Sequence, residues 1–334
     1  MNSRRIVLVL LVLLLSIEMS AQDPPQKQAA ALIDRARQLS DIRAPNAKPF
    51  QIKATFSFIG EDLENLQGTY TEYWVSESQW RRETVVGDKK RIEGGASNKT
   101  WLLESNTQFP EQGLRVSGII DPFPAKSAEF ESVVPATPQS QDTKCAITKP
   151  GGTYRVKSAF CFDLKNGVLI QTITPKIIGE RPADFSCQYG SFKKFLDHWF
   201  PREMTCVLNG HRQLEIKIVE LSAEMPRDIA LFAQPDGASE IGRCSGSLVY
   251  PKAISTPDPS FPGKVQDRNG TVFLSTIVDT AGKPQNVRVS KSGGKSFDDE
   301  AVRAVQKWKF KPGTCDGSVL PMQISIEVKF RLSR

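Results

Sequence analysis

Histidine is scarce in this chain of 334 residues, which contains only His198 and His211. His198 follows Asp197, but no Ser or Cys beside this pair stands on the kind of tight turn that exposes a nucleophile. The chain also lacks a Cys-x-x-C pair and a glycine-rich phosphate-binding loop. We therefore interpret both histidines as surface residues and predict that the protein is not an enzyme and has no metal site or cofactor.

Long hydrophobic runs are also rare, and the one that stands out is Ile6–Leu15 near the N-terminus. Two arginines precede it and Glu18 closes it. A membrane-spanning helix needs about 20 apolar residues, so a run this short is typical of a secretory signal peptide. We predict a signal peptide over residues 1–21, cleaved after Ala21. The alternative is an uncleaved segment that anchors the chain in the inner membrane.

Positive charge is unevenly placed. The net charge is +7, and residues 245–334 hold 14 Lys or Arg against 8 Asp or Glu, which gives +6 for this region. A basic domain can meet acidic lipid headgroups, acidic protein surfaces or nucleic acid. Export argues against nucleic acid as the partner. The alternative is a solvated basic face that only keeps the domain soluble.

Six cysteines, an even number in a chain predicted to be exported, permit three disulfides. The sequence leaves their pairing open, and the alternative is buried unpaired thiols. We favour pairing between neighbours in chain order, namely Cys145–Cys161, Cys187–Cys206 and Cys244–Cys315. The last pair would join the segment before the C-terminal region to that region.

The pattern of the central part of the chain predicts one helix followed by many strands. Apolar residues at helical spacing predict a helix over Ala29–Leu39. Alternating or β-rich runs predict strands at Phe50–Ile59, Gly68–Trp74, Trp80–Val86, Thr100–Glu104, Tyr154–Asp163, Phe185–Phe192, Glu203–Leu208 and Leu214–Leu221. Prolines interrupt residues 105–143, where Ser127–Val134 is interpreted as one or two helical turns.

Residues 29–237 resemble the half-barrel of lipoprotein carriers such as LolA. The resemblance rests on the leading helix, the long strands, and the late pattern FSCQYGSFKKFLDHWFPREMTCVLNGHRQLEIKIVEL followed by LFAQPDG. It implies a curved antiparallel sheet that wraps a helix and leaves an apolar groove for a lipid or lipoprotein acyl chain. The alternative is a concave face filled by core side chains. Residues 238–256, rich in small residues, are predicted to be a linker.

The C-terminal region, residues 257–334, has the order strand, turn, strand, helix, strand. Strands are predicted at Thr271–Val278 and Asn286–Ser290 around a turn at Gly282. Ser296 is predicted to cap the helix, and the acidic run Asp298–Glu300 suits the positive end of its dipole better than a metal site. An apolar stripe follows, which consists of Phe297, Ala301, Ala304, Val305 and Trp308.

This region resembles the C-terminal domain of the TonB family. The matching residues that we assign to the fold are Gly270, Gly282, Ser292, Gly293, Ala301, Trp308, Phe310 and Pro312. The resemblance implies a three-stranded antiparallel sheet with a packed helix and a last strand that recruits an extended peptide through its backbone. The strand residues assigned to that binding are Gln323, Ile324, Ser325, Ile326, Glu327, Val328, Lys329 and Phe330.

The predicted fold class is therefore α+β, with a β-rich half-barrel-like N-terminal domain and a small TonB-like C-terminal domain. The resemblance implies a periplasmic protein that binds outer-membrane TonB-dependent transporters or other envelope proteins and so supports transmembrane transport. The alternative is a periplasmic lipid or lipoprotein carrier with a TonB-like docking module. Two departures from the TonB pattern are a folded domain in place of a long proline-rich spacer and the absence of a convincing inner-membrane helix.

Overall fold

The computed structural model describes residues 23–60, 66–96, 99–104, 109–110, 113, 115–151, 155–178, 181–226, 228–242, 244, 248–263 and 269–331. The predicted signal peptide lies outside these residues. The helices are α1 (Pro25–Ser40), α2 (Val116–Ile120) and α3 (Lys295–Val305), with a short 3-10 helix at Ile229–Phe232. None of the helices in these ranges is long and apolar enough to cross a membrane.

The strands before residue 237 are β1 (Phe50–Phe58), β2 (Gln67–Ser76), β3 (Gln79–Val86), β4 (Lys89–Ala96), β5 (Lys99–Glu104), β6 (Phe130–Pro135), β7 (Thr143–Thr148), β8 (Ala159–Asp163), β9 (Leu169–Ile173), β10 (Lys176–Ile178), β11 (Arg181–Ala183), β12 (Phe185–Gly190), β13 (Lys193–Phe195), β14 (His198–Phe200), β15 (Glu203–Leu208) and β16 (His211–Ser222). Those that follow are β17 (Ser239–Ile241), β18 (Leu248–Val249), β19 (Lys252–Ser255), β20 (Asn269–Val278), β21 (Pro284–Lys291), β22 (Lys309–Lys311), β23 (Thr314–Cys315), β24 (Ser318–Val319) and β25 (Met322–Arg331).

A single sheet of 13 strands dominates the N-terminal part. Its order is β17-β5-β4-β3-β2-β1-β16-β15-β12-β9-β8-β7-β6, and its pairings are antiparallel. The prediction of an α+β protein built mainly from antiparallel sheet is therefore confirmed. Most neighbours in this sheet are also neighbours in sequence, because short turns can join antiparallel strands directly.

The alternation of β1 explains how the main core forms. Ile52, Ala54, Phe56 and Phe58 are buried, and the residues between them are more exposed. One face of the strand therefore meets solvent and the other meets a large apolar cluster that includes Trp74, Trp80 and Ile216. Helix α1 packs at the other end of the sheet, where Ala29, Ile33 and Ala36 join Phe130, Phe160 and Phe162 in a second core.

Most of the segment Ser127–Val134, interpreted as helical turns from the sequence, is a strand instead, and Ser127 lies in a turn before it. β6 covers Phe130–Pro135 and pairs with β7. The β-branched residues Val133 and Val134 favour an extended backbone, and the partner strand supplies the ladder. A short helix lies earlier, at Val116–Ile120, where the sequence analysis assigned no element.

Strand β4 was also missed, because its sequence KKRIEGGA is charged and contains two glycines. The structure shows a steric reason why both positions are glycine. A Cβ atom on Gly94 would collide with the indole of Trp101, and one on Gly95 would collide with the indole of Trp80. The missing side chains make room for two large buried rings.

Three disulfides cross the structure: Cys145–Cys161, Cys187–Cys206 and Cys244–Cys315. The first two join residues that lie directly opposite each other on neighbouring strands, with Cα atoms 3.9 and 4.0 Å apart. The third closes 71 residues of chain and ties the segment before the C-terminal domain to β23. The first two links therefore reinforce pairings that the strand registers already make.

Residues 238–256, predicted to be a linker, contain three short strands that pair with both neighbouring regions. β17 adds to the edge of the large sheet beside β5. β18 and β19 pair with β23 and β22 of the C-terminal region. The segment is thus fixed at both of its ends, whereas the domain boundaries themselves stay a prediction.

Candidate peptide-binding edge

The C-terminal sheet has the order β21-β20-β25, with α3 packed on one face. β20 and β25 pair without interruption from Asn269 opposite Arg331 to Val278 opposite Met322. The buried side chains of this small core come from both strands, from the helix and from β22: Val272, Leu274, Val278, Phe297, Ala301, Val305, Phe310, Ile326, Val328 and Phe330. The outer strand β25 is therefore held in one register by both its ladder and its buried face.

Helix α3 begins at Lys295, one residue before the predicted cap, so Ser296 lies inside the helix and the capping prediction is wrong. The Asp298 carboxylate holds the start of the helix instead. It accepts hydrogen bonds from the Ser292 hydroxyl at 2.5 Å and from the Gly293 N–H at 2.9 Å. Gly293 lies so close to the carbonyl of Thr271 that a Cβ atom would not fit. This is how the Ser-Gly pair sets the entry of the helix onto the sheet.

Gly282 forms the turn between β20 and β21 with φ of +77°. A Cβ atom there would collide with the carbonyl oxygen of Phe310, and the Phe310 N–H donates to the Gly282 carbonyl at 2.9 Å. The turn and the segment after the helix are thus joined backbone to backbone, which only glycine permits at this position.

Trp308 follows the helix and is half-buried, not enclosed within the core. Its Nε1–H donates to the Pro257 carbonyl at 3.1 Å, and its ring centroid lies 6.2 Å from that of Phe310. Phe310 is buried, and Pro312 comes directly after β22. The indole therefore also holds the preceding segment against the domain.

Strand β25 has β20 as its one strand neighbour in the described part of the chain. Ser325, Glu327 and Lys329 are exposed, and they alternate with buried residues. Glu327 and Lys329 form an ion pair at 3.3 Å along this exposed row. The row is polar and mixed in charge, so an added strand would have to gain most of its binding from the backbone.

The N-terminal part contacts the first residues of this strand. The guanidinium of Arg91, a buried residue of β4, donates to the side-chain oxygen of Gln323 at 3.2 Å, and Gln323 in turn donates to Ser275 at 2.8 Å. Arg91 is itself paired with Glu93 at 2.8 Å and with Glu104. Burial opposes its charge, but these two carboxylates outweigh that effect and raise the pKa of Arg91.

The opposite edge strand, β21, contacts the N-terminal part through the residues in the middle of the strand. Asn286 donates to the Ser239 hydroxyl, and Arg288 donates to the Glu104 carbonyl at 3.0 Å. A bulge disrupts the pairing of β21 with β20 at two places. Of the two edges, β25 is therefore the more regular and the more accessible.

The space available for an acyl chain is small inside the sheet and larger at its rim. A cavity of about 20 Å³ lies beside Tyr189 and Phe192, which is room for a water molecule. An open cavity of about 820 Å³ lies at the end of α1, where Trp74, Trp80 and Phe123 supply apolar walls. Arg43 and Arg82 also line it, and the carboxylate behind them belongs to the buried Glu72.

The two histidines lie apart on the surface of the N-terminal part. His198 starts β14 opposite Phe195, and His211 is exposed at the start of β16. Within the described ranges, no cluster of three or more His, Cys, Asp or Glu is placed to hold a metal ion.

Comparison with known proteins shows which family the C-terminal region is similar to. Residues 259–332 match the family model for the C-terminal domain of Gram-negative bacterial TonB protein. Protein tonB2 of Pseudomonas aeruginosa is 31% identical over 83 residues, which cover 24% of this chain and 31% of the relative. Protein TonB of Vibrio cholerae is 30% identical over 105 residues, which cover 30% of this chain and 43% of the relative. The chain thus spans less than half the length of these relatives.

Among solved structures, a LolA superfamily protein from Nitrosomonas europaea is similar with a TM-score of 0.43 and 11% identity, over 62% of this chain and 97% of the other. An outer membrane lipoprotein-sorting protein domain from Vibrio parahaemolyticus is similar with a TM-score of 0.38 and 10% identity, over 57% of this chain and 91% of the other. The resemblance of residues 259–332 to the TonB C-terminal domain, inferred above from their motif, is confirmed by the family model.

Proposed function

We propose that the C-terminal domain binds an extended segment of an outer-membrane transporter, or of another cell-envelope protein, as an additional strand on β25. The observation that carries this proposal is a ten-residue edge strand, fixed by its buried face, whose outer side has no strand partner among the described residues. An edge of this kind offers unpaired N–H and C=O groups to an incoming chain. The TonB resemblance implies the same mode of binding.

The pattern of β25 favours backbone recognition. Along its middle, Ser325 is short and Glu327 and Lys329 pair with each other, so these exposed side chains offer few specific contacts to a partner. Its buried side chains hold the strand flat against the domain before any partner arrives. A pre-organised strand loses little conformational entropy on binding.

The contacts at Gln323 and along β21 explain why one edge is preferred. Arg91 fixes the start of β25, and Glu104 holds Arg288 of β21 close to the large sheet. The N-terminal part therefore supports the domain from one side and leaves the rest of β25 open. In this proposal its role is that of a folded support for the binding domain.

The test compares Glu327→Pro with Glu327→Ala in binding to a peptide from the periplasmic N-terminal segment of a TonB-dependent transporter. Alanine keeps the backbone N–H and should change the affinity little. Proline removes the N–H and should abolish binding if that group points outward. Thermal unfolding of both variants checks that the domain still folds.

Hydrogen exchange of the unchanged protein gives an independent measurement. Because N–H direction alternates along a strand, the peptide should slow exchange at every second residue of β25. Slowed exchange on β21 with none on β25 would contradict the proposal, and so would equal peptide binding by the proline and alanine variants.

A second candidate function is the binding of an anionic amphiphile, such as a lipid or a lipoprotein acyl chain, in the cavity of about 820 Å³. This volume lies in the range of ligand sites, and its wall combines Trp74 and Phe123 with Arg43. Mass spectrometry of lipids that copurify with the protein tests it. Loss of these lipids in Trp74→Ala, with unchanged peptide binding, would separate this function from the first.

A further inference from the structure

One exposed ribbon joins the segment after Cys244 to the C-terminal domain. The ladder of β18 on β23 and the ladder of β19 on β22 keep the same register. They are separated by two residues on each strand, where Pro251 and Pro312 come opposite each other, and neither proline has an N–H to donate. Leu248–Ser255 therefore runs as one strand along Lys309–Cys315.

The two faces of this ribbon differ most around Phe310, although Val249, on the Phe310 side by alternation, is also 57% exposed. Side chains alternate along a strand, and Phe310, at the centre of β22, is buried in the domain core. On either side of Phe310, Lys309 and Lys311 have the opposite parity and point away from the core, whereas beyond the two prolines a Cβ atom on Gly313 would meet the buried Met322. We call this outward side the ribbon face, and it consists of Leu248, Tyr250, Lys252, Ile254, Lys309 and Lys311.

The apolar members of the ribbon face are unusually exposed. Leu248 is 42% exposed, Tyr250 is 66% exposed, and Ile254, which lies at a bulge in the ladder, is 70% exposed. Single exposed apolar side chains are common, whereas a group of them on one face marks an interaction site. Side chains two-thirds exposed protrude from the surface, so the ribbon face suits a soft or flat partner better than it suits a shaped pocket.

The charged members are all lysines. Lys252 lies opposite Lys311, and Lys309 is two residues further along the same strand. All three are exposed, and none of them forms an ion pair with another residue of the described ranges. Like charges placed opposite each other destabilise a sheet, so this arrangement is costly unless an anionic partner lies against it.

We propose that the ribbon face binds the surface of a bilayer that contains anionic phospholipid. Tyrosine and aliphatic side chains partition into the interfacial region of a bilayer, and lysines are attracted to anionic headgroups. Along the ribbon, the Lys252–Lys311 pair lies between the protruding side chains of Tyr250 and Ile254, so apolar and cationic groups can contact the bilayer interior and the headgroups together. The disulfide Cys244–Cys315 and the buried Phe310 hold the ribbon in place, so little order has to be created on binding.

The experiment is hydrogen exchange of the full chain with vesicles of phosphatidylglycerol and phosphatidylcholine, compared with vesicles of phosphatidylcholine alone. Both vesicles can hold an apolar N-terminal segment, so that effect cancels. We expect slower exchange over residues 248–255 and 309–315 with the anionic vesicles only.

Matched variants give the second measurement, which is vesicle affinity by cosedimentation. Lys252→Gln with Lys309→Gln and Lys311→Gln should weaken binding to anionic vesicles roughly 100-fold, from the usual contribution of a lysine near such a surface. Tyr250→Ser with Ile254→Ser should remove the exchange protection. The control is the triple replacement of Lys193, Lys194 and Lys217 by Gln, exposed lysines of the N-terminal part, which should leave affinity unchanged.

Three results would overturn the proposal. The first is unchanged exchange of the ribbon when anionic vesicles are added. The second is an equal loss of affinity in the ribbon triple and in the control triple. The third is protection of the ribbon by envelope proteins in detergent but not by vesicles, which would assign the face to a protein partner.

Discussion

Replacing Glu72 with Gln should destabilise the large sheet by about 3 kcal/mol. The side chain of Glu72 is fully buried in β2. Its carboxylate accepts hydrogen bonds from the Nε–H of Arg43 at 3.1 Å, the Nε–H of Arg82 at 3.0 Å and the hydroxyl of Tyr70 at 3.1 Å. The amide would remove the negative charge and leave two guanidinium groups facing each other in a poorly solvated place.

The size of the effect follows from the pKa of Glu72. Burial by itself would raise that pKa, but Arg43 and Arg82 outweigh burial and lower it from 4.5 to about 2. A difference of this size corresponds to about 3 kcal/mol of stability at neutral pH. Breaking a buried ion pair by removing one partner costs a similar amount, about 3–5 kcal/mol. Because the folded pKa is the lower one, this stability is present above about pH 4.5 and is lost as the pH falls towards 2.

Urea unfolding followed by tryptophan fluorescence measures this prediction, since Trp74 and Trp80 belong to the same core. The unchanged protein should lose stability between about pH 5 and pH 3, and Glu72→Gln should lose less over that range. The control is Glu220→Gln, because Glu220 pairs with Lys53 at 2.9 Å but is 39% exposed, so its loss should lower the stability much less than the loss of Glu72. If the two variants unfold at the same urea concentration, the Glu72 network does not stabilise the fold as argued.

Two further changes test the C-terminal domain. Phe310→Ala should cost about 3–5 kcal/mol as a buried aromatic truncation, whereas Trp308→Ala should cost roughly half as much because its ring is half-buried; thermal unfolding in which Trp308→Ala is the more damaging would contradict this order. Replacing both Cys244 and Cys315 by Ser should cost about 4 kcal/mol, since their disulfide closes 71 residues; calorimetry that shows no downward shift of the C-terminal transition would refute it.

Local patterns in the sequence were enough to identify the elements that carry their own signals. The helix predicted at Ala29–Leu39 lies within α1, and the strand predicted at Glu203–Leu208 coincides with β15. The motif of the C-terminal region was equally readable, because glycine and proline at fixed positions mark its turns and its helix end. In each case the cause acts over a few residues, through side-chain periodicity or backbone conformation.

The elements that were missed depend on partners distant in sequence. β4 is stable because Trp80 and Trp101 fill the space left by Gly94 and Gly95. No local sequence pattern predicts this packing. Residues 130–134 of the segment Ser127–Val134 form a strand because β7 lies beside them and pairs with them.

Residue patterns alone were enough to predict that the chain is mostly β-structure, that its C-terminal region resembles the TonB domain, and that β25 has one apolar and one polar face. The cysteine pairing that the sequence favoured, between neighbours in chain order, is the one that the structure has. Its physical cause is tertiary, because strand register sets Cys145 opposite Cys161 and Cys187 opposite Cys206. Tertiary structure also decided which edge of the C-terminal sheet stays open, since Arg91 and Glu104 reach that sheet from strands some 200 residues away. Side-chain periodicity is a local property that a sequence displays, whereas register and docking arise only when distant segments compete for the same partners.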